Sequence, residues 1–211
     1  AVKKMGKTHL VTALAIDCDP VACQTHELSH PHIPVVNYKM TDWEDTIKLI
    51  HRYVPKQMMS KTYVHVSNSC KQASTGNISH RDLNKAQGDT DWFLALLARL
   101  KCSVWTLENV PSLLRKYEGV YPTSRAYRMN EYCALGQARK RMILSNKLLD
   151  IPHYTGPVIT TRMVLGEAKQ WKHHKKYWQR NSYGDPRSVD EPAFTMTSGA
   201  HHVGARSLGE L

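Results

Sequence analysis

No stretch of about 18 consecutive apolar residues occurs in this sequence, so nothing in it reads as a membrane-spanning helix. Residues Ala1 to Lys7 are polar and basic with no apolar core behind them, and no secretory signal is expected. Repeats and low-complexity tracts are lacking too. The five cysteines are an odd number without the spacing of a small disulfide scaffold. That pattern points to reduced thiols in an intracellular, reducing compartment. Acidic residues are in deficit, 18 Asp and Glu against 29 Lys and Arg, which gives a formal net charge of +11. Such an excess favours a polyanionic partner and says nothing about fold. The 211 residues suffice for one substantial domain and a small appendage.

Apolar runs followed by polar turn signals organise the chain. Ser103-Val104-Trp105-Thr106-Leu107 reads as a short buried strand, and it stops at Glu108-Asn109. Val110-Pro111 then forces a turn before Ser112 to Arg115 opens a helix. Lys61 to Val66 is a second strand, ending in Ser67-Asn68-Ser69-Cys70-Lys71, so a cysteine and a glutamate each follow a strand. Open α/β sheets place ligands at such strand ends. Upstream, Leu10 to Ile16 reads as a strand ending at Asp17, Pro20 starts a helix over Val21 to Leu28, and Ile33 to Asn37 is a short strand. Asp17 either meets ribose hydroxyls, as acids at this position do, or it or Asp19 caps the helix.

Further along, Thr41-Asp42-Trp43-Glu44 marks a capped helix start and Pro55 a helix end. The segment after Cys70 stays polar to about Gly88, and a strongly apolar helix is expected from Asp89 to Leu100. Arg125 to Met129 and Arg141 to Ser145 are expected to pair as late strands. Cys23, His26 and His30 share one helical face, but no second ligand pair follows at zinc-finger spacing, and no metal site is expected. From Ile151 to Arg187 the texture changes to Arg162, Lys169, Lys172, Lys175, Lys176 and Arg180 interleaved with Trp171, Tyr177 and Trp178. Basic residues alternating with aromatics suit phosphates and unstacked bases, or form a solvated helix with an apolar stripe.

Cys70 in its loop, Glu108-Asn109-Val110 after a strand, and Gln137, Arg139 and Arg141 in Gln-x-Arg-x-Arg order resemble the cytosine-5 DNA methyltransferases. The resemblance runs from about Leu10 to Asn146, with an echo at Pro192 to Thr197. It implies a Rossmann-like α/β sheet and methyl transfer from S-adenosylmethionine (AdoMet) to C5 of a cytosine rotated out of the duplex. By resemblance, Cys70 is the thiolate that adds to C6 and Glu108 meets the ring N3. Arg139 and Arg141 support the base and the thiolate. Asp17, with Cys18 beside it, takes the cofactor ribose. Gln137, Arg162, Lys172, Lys175, Lys176, Trp178 and Arg180 face nucleic acid, DNA rather than RNA.

The domains implied are a catalytic part over 1–148, a short basic target-recognition-like region over 149–190 and a C-terminal segment over 191–211. The sequence departs from the family at Ser69, where a proline is usual, and at Lys71, where glutamine is. No Phe-x-Gly-x-Gly loop precedes Asp17, so the sheet is expected to lack its first strand and AdoMet binding by the chain alone is in doubt. Three readings stay open: residues omitted from the sequence, a second protein chain that completes the sheet, or an inactive relative kept as a nucleic-acid-binding or structural subunit.

Overall fold

The computed structural model describes residues 10–74, 81–134, 139–157, 171–172 and 206–207. They fall into two compact units, one of residues Ala1–Tyr63 with Leu94–Ser103, the other of Val64–Phe93 with Val104–Leu211. No helix among the described residues is long and apolar enough to cross a membrane.

The first unit is built on a β-α-β turn. Strand β1 (Ala15–Asp17) leads through helix α1 (Pro20–Ser29) to β2 (Val35–Asn37), and the strands pair in parallel with Ile16 opposite Val36. Asp19 is the residue that caps α1, accepting from the Val21 amide at 2.8 Å, and Pro20 occupies the first turn, where its missing N–H costs nothing. The strand expected from Leu10 is shorter than the apolar run suggested. Only Ala15 to Asp17 have register partners, and Leu10 and Val11 are exposed. Strand propensity is expressed only where a neighbouring strand accepts the hydrogen bonds. Helix α2 (Trp43–Tyr53) starts at Asp42, whose carboxylate accepts from the Asp45 amide at 2.9 Å, and stops before Pro55. Glu44 and Asp45 in its first turn and His51 and Arg52 in its last suit the helix dipole.

The second unit carries a four-stranded sheet in the order β3 (Tyr63–Ser67), β4 (Val104–Asn109), β6 (Lys140–Ser145), β5 (Thr123–Arg128). The late strands pair antiparallel as the sequence suggested, with Arg125 opposite Ile143 and Tyr127 opposite Arg141. β6 also pairs antiparallel with β4, and this extends β4 two residues beyond the expected Leu107, because Glu108 and Asn109 face Ile143 and Met142. Three side-chain contacts join β3 and its following residue to β4: His65 to Thr106, Ser67 to Glu108 and Asn68 to Asn109, each 41 residues apart. A constant offset requires the two strands to run in parallel. The sheet is therefore mixed. One face buries Leu107, Met142 and Leu144 completely, while the other presents His65, Thr106, Glu108 and Arg141. After Pro111 comes a single 3-10 turn and the four-residue helix α4 (Leu114–Tyr117), shorter than the expected helix. Gly119, at φ +74°, ends it in the left-handed conformation that favours glycine. The short strands β7 (Trp171–Lys172) and β8 (Arg206–Ser207) pair antiparallel.

Helix α3 (Leu83–Leu100) departs most from expectation. It starts six residues before Asp89, capped by Asp82, which accepts from the Lys85 amide at 3.0 Å. Gly88-Asp89 reads as a turn in isolation, since a mid-helix glycine costs about 1 kcal/mol relative to alanine. Burial of Ala86 and Thr90 on either side, with the Thr90 hydroxyl donating to the Ala86 carbonyl at 2.8 Å, outweighs that signal. A Cβ at Gly88 would meet nothing within 4 Å. Gly88→Ala is therefore expected to stabilise the protein by about 0.5–1 kcal/mol, raising the melting temperature by about 1–4 °C. Thermal and urea unfolding of the two proteins measure this.

Candidate active site

Glu108 lies near the carboxyl end of β4, on the polar face of the second unit's sheet. Its two oxygens have different partners. Oε1 forms an ion pair with Nε of Arg141 at 2.5 Å, and Oε2 accepts from the Ser67 hydroxyl at 2.7 Å. The register explains both contacts. Ile143 sits opposite Glu108, so Arg141, two residues away on β6, emerges on the same face one step along the strand. Ser67 occupies the corresponding place on β3. The Arg141 and Glu108 side chains are only 15% and 20% exposed, so the pair works in a partly desolvated setting.

Burial lowers the pKa of Arg141 and the neighbouring Arg139 charge adds to the effect, while Glu108 and then Cys70 push it back up. A guanidinium stays charged in any protein, so the significance lies in the partners. Arg141 sits in the electrostatic field of both the Glu108 carboxylate and the Cys70 sulfur. Of the four residues expected to carry chemistry, Glu108 and Arg141 are in direct contact.

Cys70 is half-buried in a tight turn. Its carbonyl accepts from the amides of Ala73 at 3.0 Å and Ser74 at 2.8 Å. The loop lacks the proline expected before the cysteine, yet it is pinned on both sides. The amide of buried Asn109 donates to Asn68 Oδ1 at 3.0 Å and to the Asn68 carbonyl at 3.4 Å. Beyond the cysteine, the Ser112 hydroxyl donates to the Ala73 carbonyl at 2.8 Å. Residues that follow the acid thus hold the loop that carries the thiol.

His65, Ser67 and Asn68 are contributors that no sequence motif singles out. His65 lies on the same face as Glu108, and its Nδ1 is 2.8 Å from the Thr106 hydroxyl. The residue is exposed as a whole, but this hydrogen bond is partly covered. The covering lowers the His65 pKa and the Glu108 carboxylate opposes the shift. Period-two spacing places His65 and Ser67 on one face, but only the parallel pairing with β4 shows that it is the face of Glu108.

Asp17 and Cys18 belong to the first unit, at the end of β1, and both are exposed. Asp17 Oδ1 accepts from the Asp19 amide at 2.9 Å, so it braces the turn while Asp19 caps the helix. Buried Cys23 donates to the Asp17 carbonyl at 3.5 Å, and the rings of His26 and His30 lie 5.2 Å apart. Gln137, Arg162, Lys175, Lys176, Trp178 and Arg180 lie outside the described residues, and Lys172 is described only through its backbone in β7.

No protein-family model matches the chain, and no curated protein sequence matches it. Solved structures do. One is a putative DNA modification methyltransferase encoded within a prophage of E. coli, with a TM-score of 0.50 and 17% identity over 77% of this chain and 51% of that one. Another is a mutant of Spodoptera frugiperda DNMT2, with a TM-score of 0.46 and 13% identity over 82% of this chain and 58% of that one. The first likeness shows a methyltransferase-like mixed α/β fold. The chain spans about half the length of the structures it matches.

The electrostatic link between His65 and Glu108 gives a direct test of this geometry. Glu108 pulls the His65 pKa up, so Glu108→Gln should move the His65 titration to lower pH than in the wild type. Histidine ring resonances followed by NMR through the acid range measure the shift; an unchanged midpoint would separate the two side chains.

Proposed function

We propose that this chain carries the machinery for methyl transfer to C5 of cytosine in DNA, with Cys70 as nucleophile and Glu108 as the group that meets N3. The observations that carry this reading are the covered ion pair of Arg141 with Glu108 and the hydrogen bonds by which Asn109, next to Glu108, holds Asn68 in the Cys70 loop. Cytosine C5 is a poor carbon nucleophile until a thiolate adds at C6. Addition moves the negative charge from the sulfur onto the ring, where a proton that the carboxyl group delivers to N3 neutralises it. Arg141 serves both ends of that charge movement: it steadies the Cys70 thiolate before addition and fixes the carboxyl that answers the charge afterwards. A reducing compartment keeps Cys70 available as a thiol.

AdoMet supplies the methyl group in this class of reaction. Asp17, exposed at the carboxyl end of β1 ahead of α1, fits a ribose contact, and Cys18 lies beside it. No Phe-x-Gly-x-Gly segment occurs in the sequence to receive the methionine end. One hydrogen-bonded acid contributes about 1 kcal/mol, far below the roughly 8 kcal/mol of micromolar binding. For this reason residues 1–211 are read as weakly active by themselves and strongly active once a glycine loop is supplied, by a further stretch of the same chain or by a second chain. The alternative reading is an inactive relative that binds nucleic acid or serves as a structural subunit.

The experiment is transfer of labelled methyl from AdoMet to cytosine-containing DNA, by wild type and Cys70→Ser, alone and with any copurifying partner. The expected result is weak transfer by the lone chain, strong transfer with a partner, and none from Cys70→Ser in either case. Absence of transfer under every condition would favour the binding subunit.

Nucleic-acid contact is proposed for the basic, aromatic stretch over 162–187. Replacing Lys172, Lys175 and Lys176 by alanine should reduce the slope of log affinity against log salt by about one for each phosphate no longer neutralised. Fluorescence anisotropy with a labelled duplex over a salt series measures that slope, and an unchanged slope would place the binding surface elsewhere.

A further inference from the structure

The geometry points to Ser67 as a positioning residue for the pyrimidine: its hydroxyl fixes the plane of the Glu108 carboxyl that Arg141 alone would leave free to turn. The inference rests on the reading of Glu108 as the N3 partner.

The terminal torsion of a glutamate is broad and roughly two-fold, so a single contact does not orient the carboxyl. The Arg141 Nε contact holds Oε1 at one point, about which the other oxygen can still swing. The Ser67 hydroxyl donates to Oε2 at 2.7 Å from the opposite neighbouring strand. Two anchors on two oxygens, from β3 and β6 on either side of β4, define a plane. They occupy two of the roughly four acceptor positions of a carboxylate and leave the others for two donors on the ring edge, the exocyclic amine and N3 once it is protonated. Ser67 stands three residues before Cys70, at the end of β3, so one short segment sets the direction of the carboxyl and carries the sulfur. A misdirected carboxyl would still allow DNA to bind, since the phosphates supply most of the affinity. It would lose the stabilisation of charge that develops only after the thiolate adds.

The test uses a reaction that needs no cofactor. Addition of the Cys70 thiolate to C6 makes C5 basic. C5 then takes a deuteron from D2O, loses its original proton to solvent, and the thiolate leaves, so the net change is deuterium for hydrogen at C5. The chain is incubated with a cytosine-containing oligonucleotide in D2O without AdoMet, and incorporation is read by mass spectrometry. Ser67→Ala is expected to lower kcat for exchange about tenfold, the scale of one hydrogen bond to a charged group, with KM within about twofold and the melting temperature unchanged. Ser67→Thr, which keeps the hydroxyl, should recover most of the rate. Exchange by Ser67→Ala equal to wild type, or a rise in KM alone, would overturn the role of Ser67 while leaving the function standing, provided Cys70→Ser is silent. No exchange by the wild type would overturn both.

Discussion

The ion pair between Arg141 and Glu108 is the contact on which the rest of the site depends. It joins the two antiparallel strands β4 and β6 at a position where both side chains are largely covered. Pairs exposed on a surface contribute at most about 1 kcal/mol, and fully buried ones barely repay their desolvation. This pair lies between those limits, so it is better understood as setting geometry than as holding the fold. Its consequence is orientation. Arg141 cannot turn away from Glu108 without leaving a shielded carboxylate with no counter-charge, only the Ser67 hydroxyl.

The supporting contacts follow a division of labour between the two faces of the sheet. On the polar face, Ser67 and Arg141 hold Glu108. On the opposite face, the adjacent Asn109 is buried and holds Asn68, two residues before the thiol. Strand alternation assigns consecutive residues to these separate tasks. The acid and the loop that carries the cysteine are therefore fixed by neighbours in a single strand.

The parts of the fold legible in sequence are those with a local signal. Asp42 before an amphipathic run, Pro20 at a helix start, and the pairing of Arg125 to Met129 with Arg141 to Ser145 all reappear in the structure. Signals that depend on partners mislead. Val11 and Thr12 have strand-forming side chains but no strand partner among the described residues. Gly88-Asp89 has turn chemistry but lies within α3, where burial of its neighbours decides. At the site, Cys70, Glu108 and Arg141 stand out because their types and order match a reaction. Ser67 and His65 do not, because a serine and a histidine in a short strand acquire meaning only when the parallel offset to β4 is known.

The most direct measurement of the central claim, that one guanidinium serves both the acid and the thiol, is the rate of Cys70 alkylation by iodoacetamide at neutral pH. Peptide mass mapping separates Cys70 from the other four cysteines. Wild type, Glu108→Gln and Arg141→Gln are compared, with melting temperatures confirming that each is folded. If Arg141 is shared, Glu108→Gln releases its charge to the sulfur and quickens alkylation several-fold, while Arg141→Gln slows it by a similar factor. Equal rates in all three proteins would show that Arg141 does not act on Cys70 and would contradict the account.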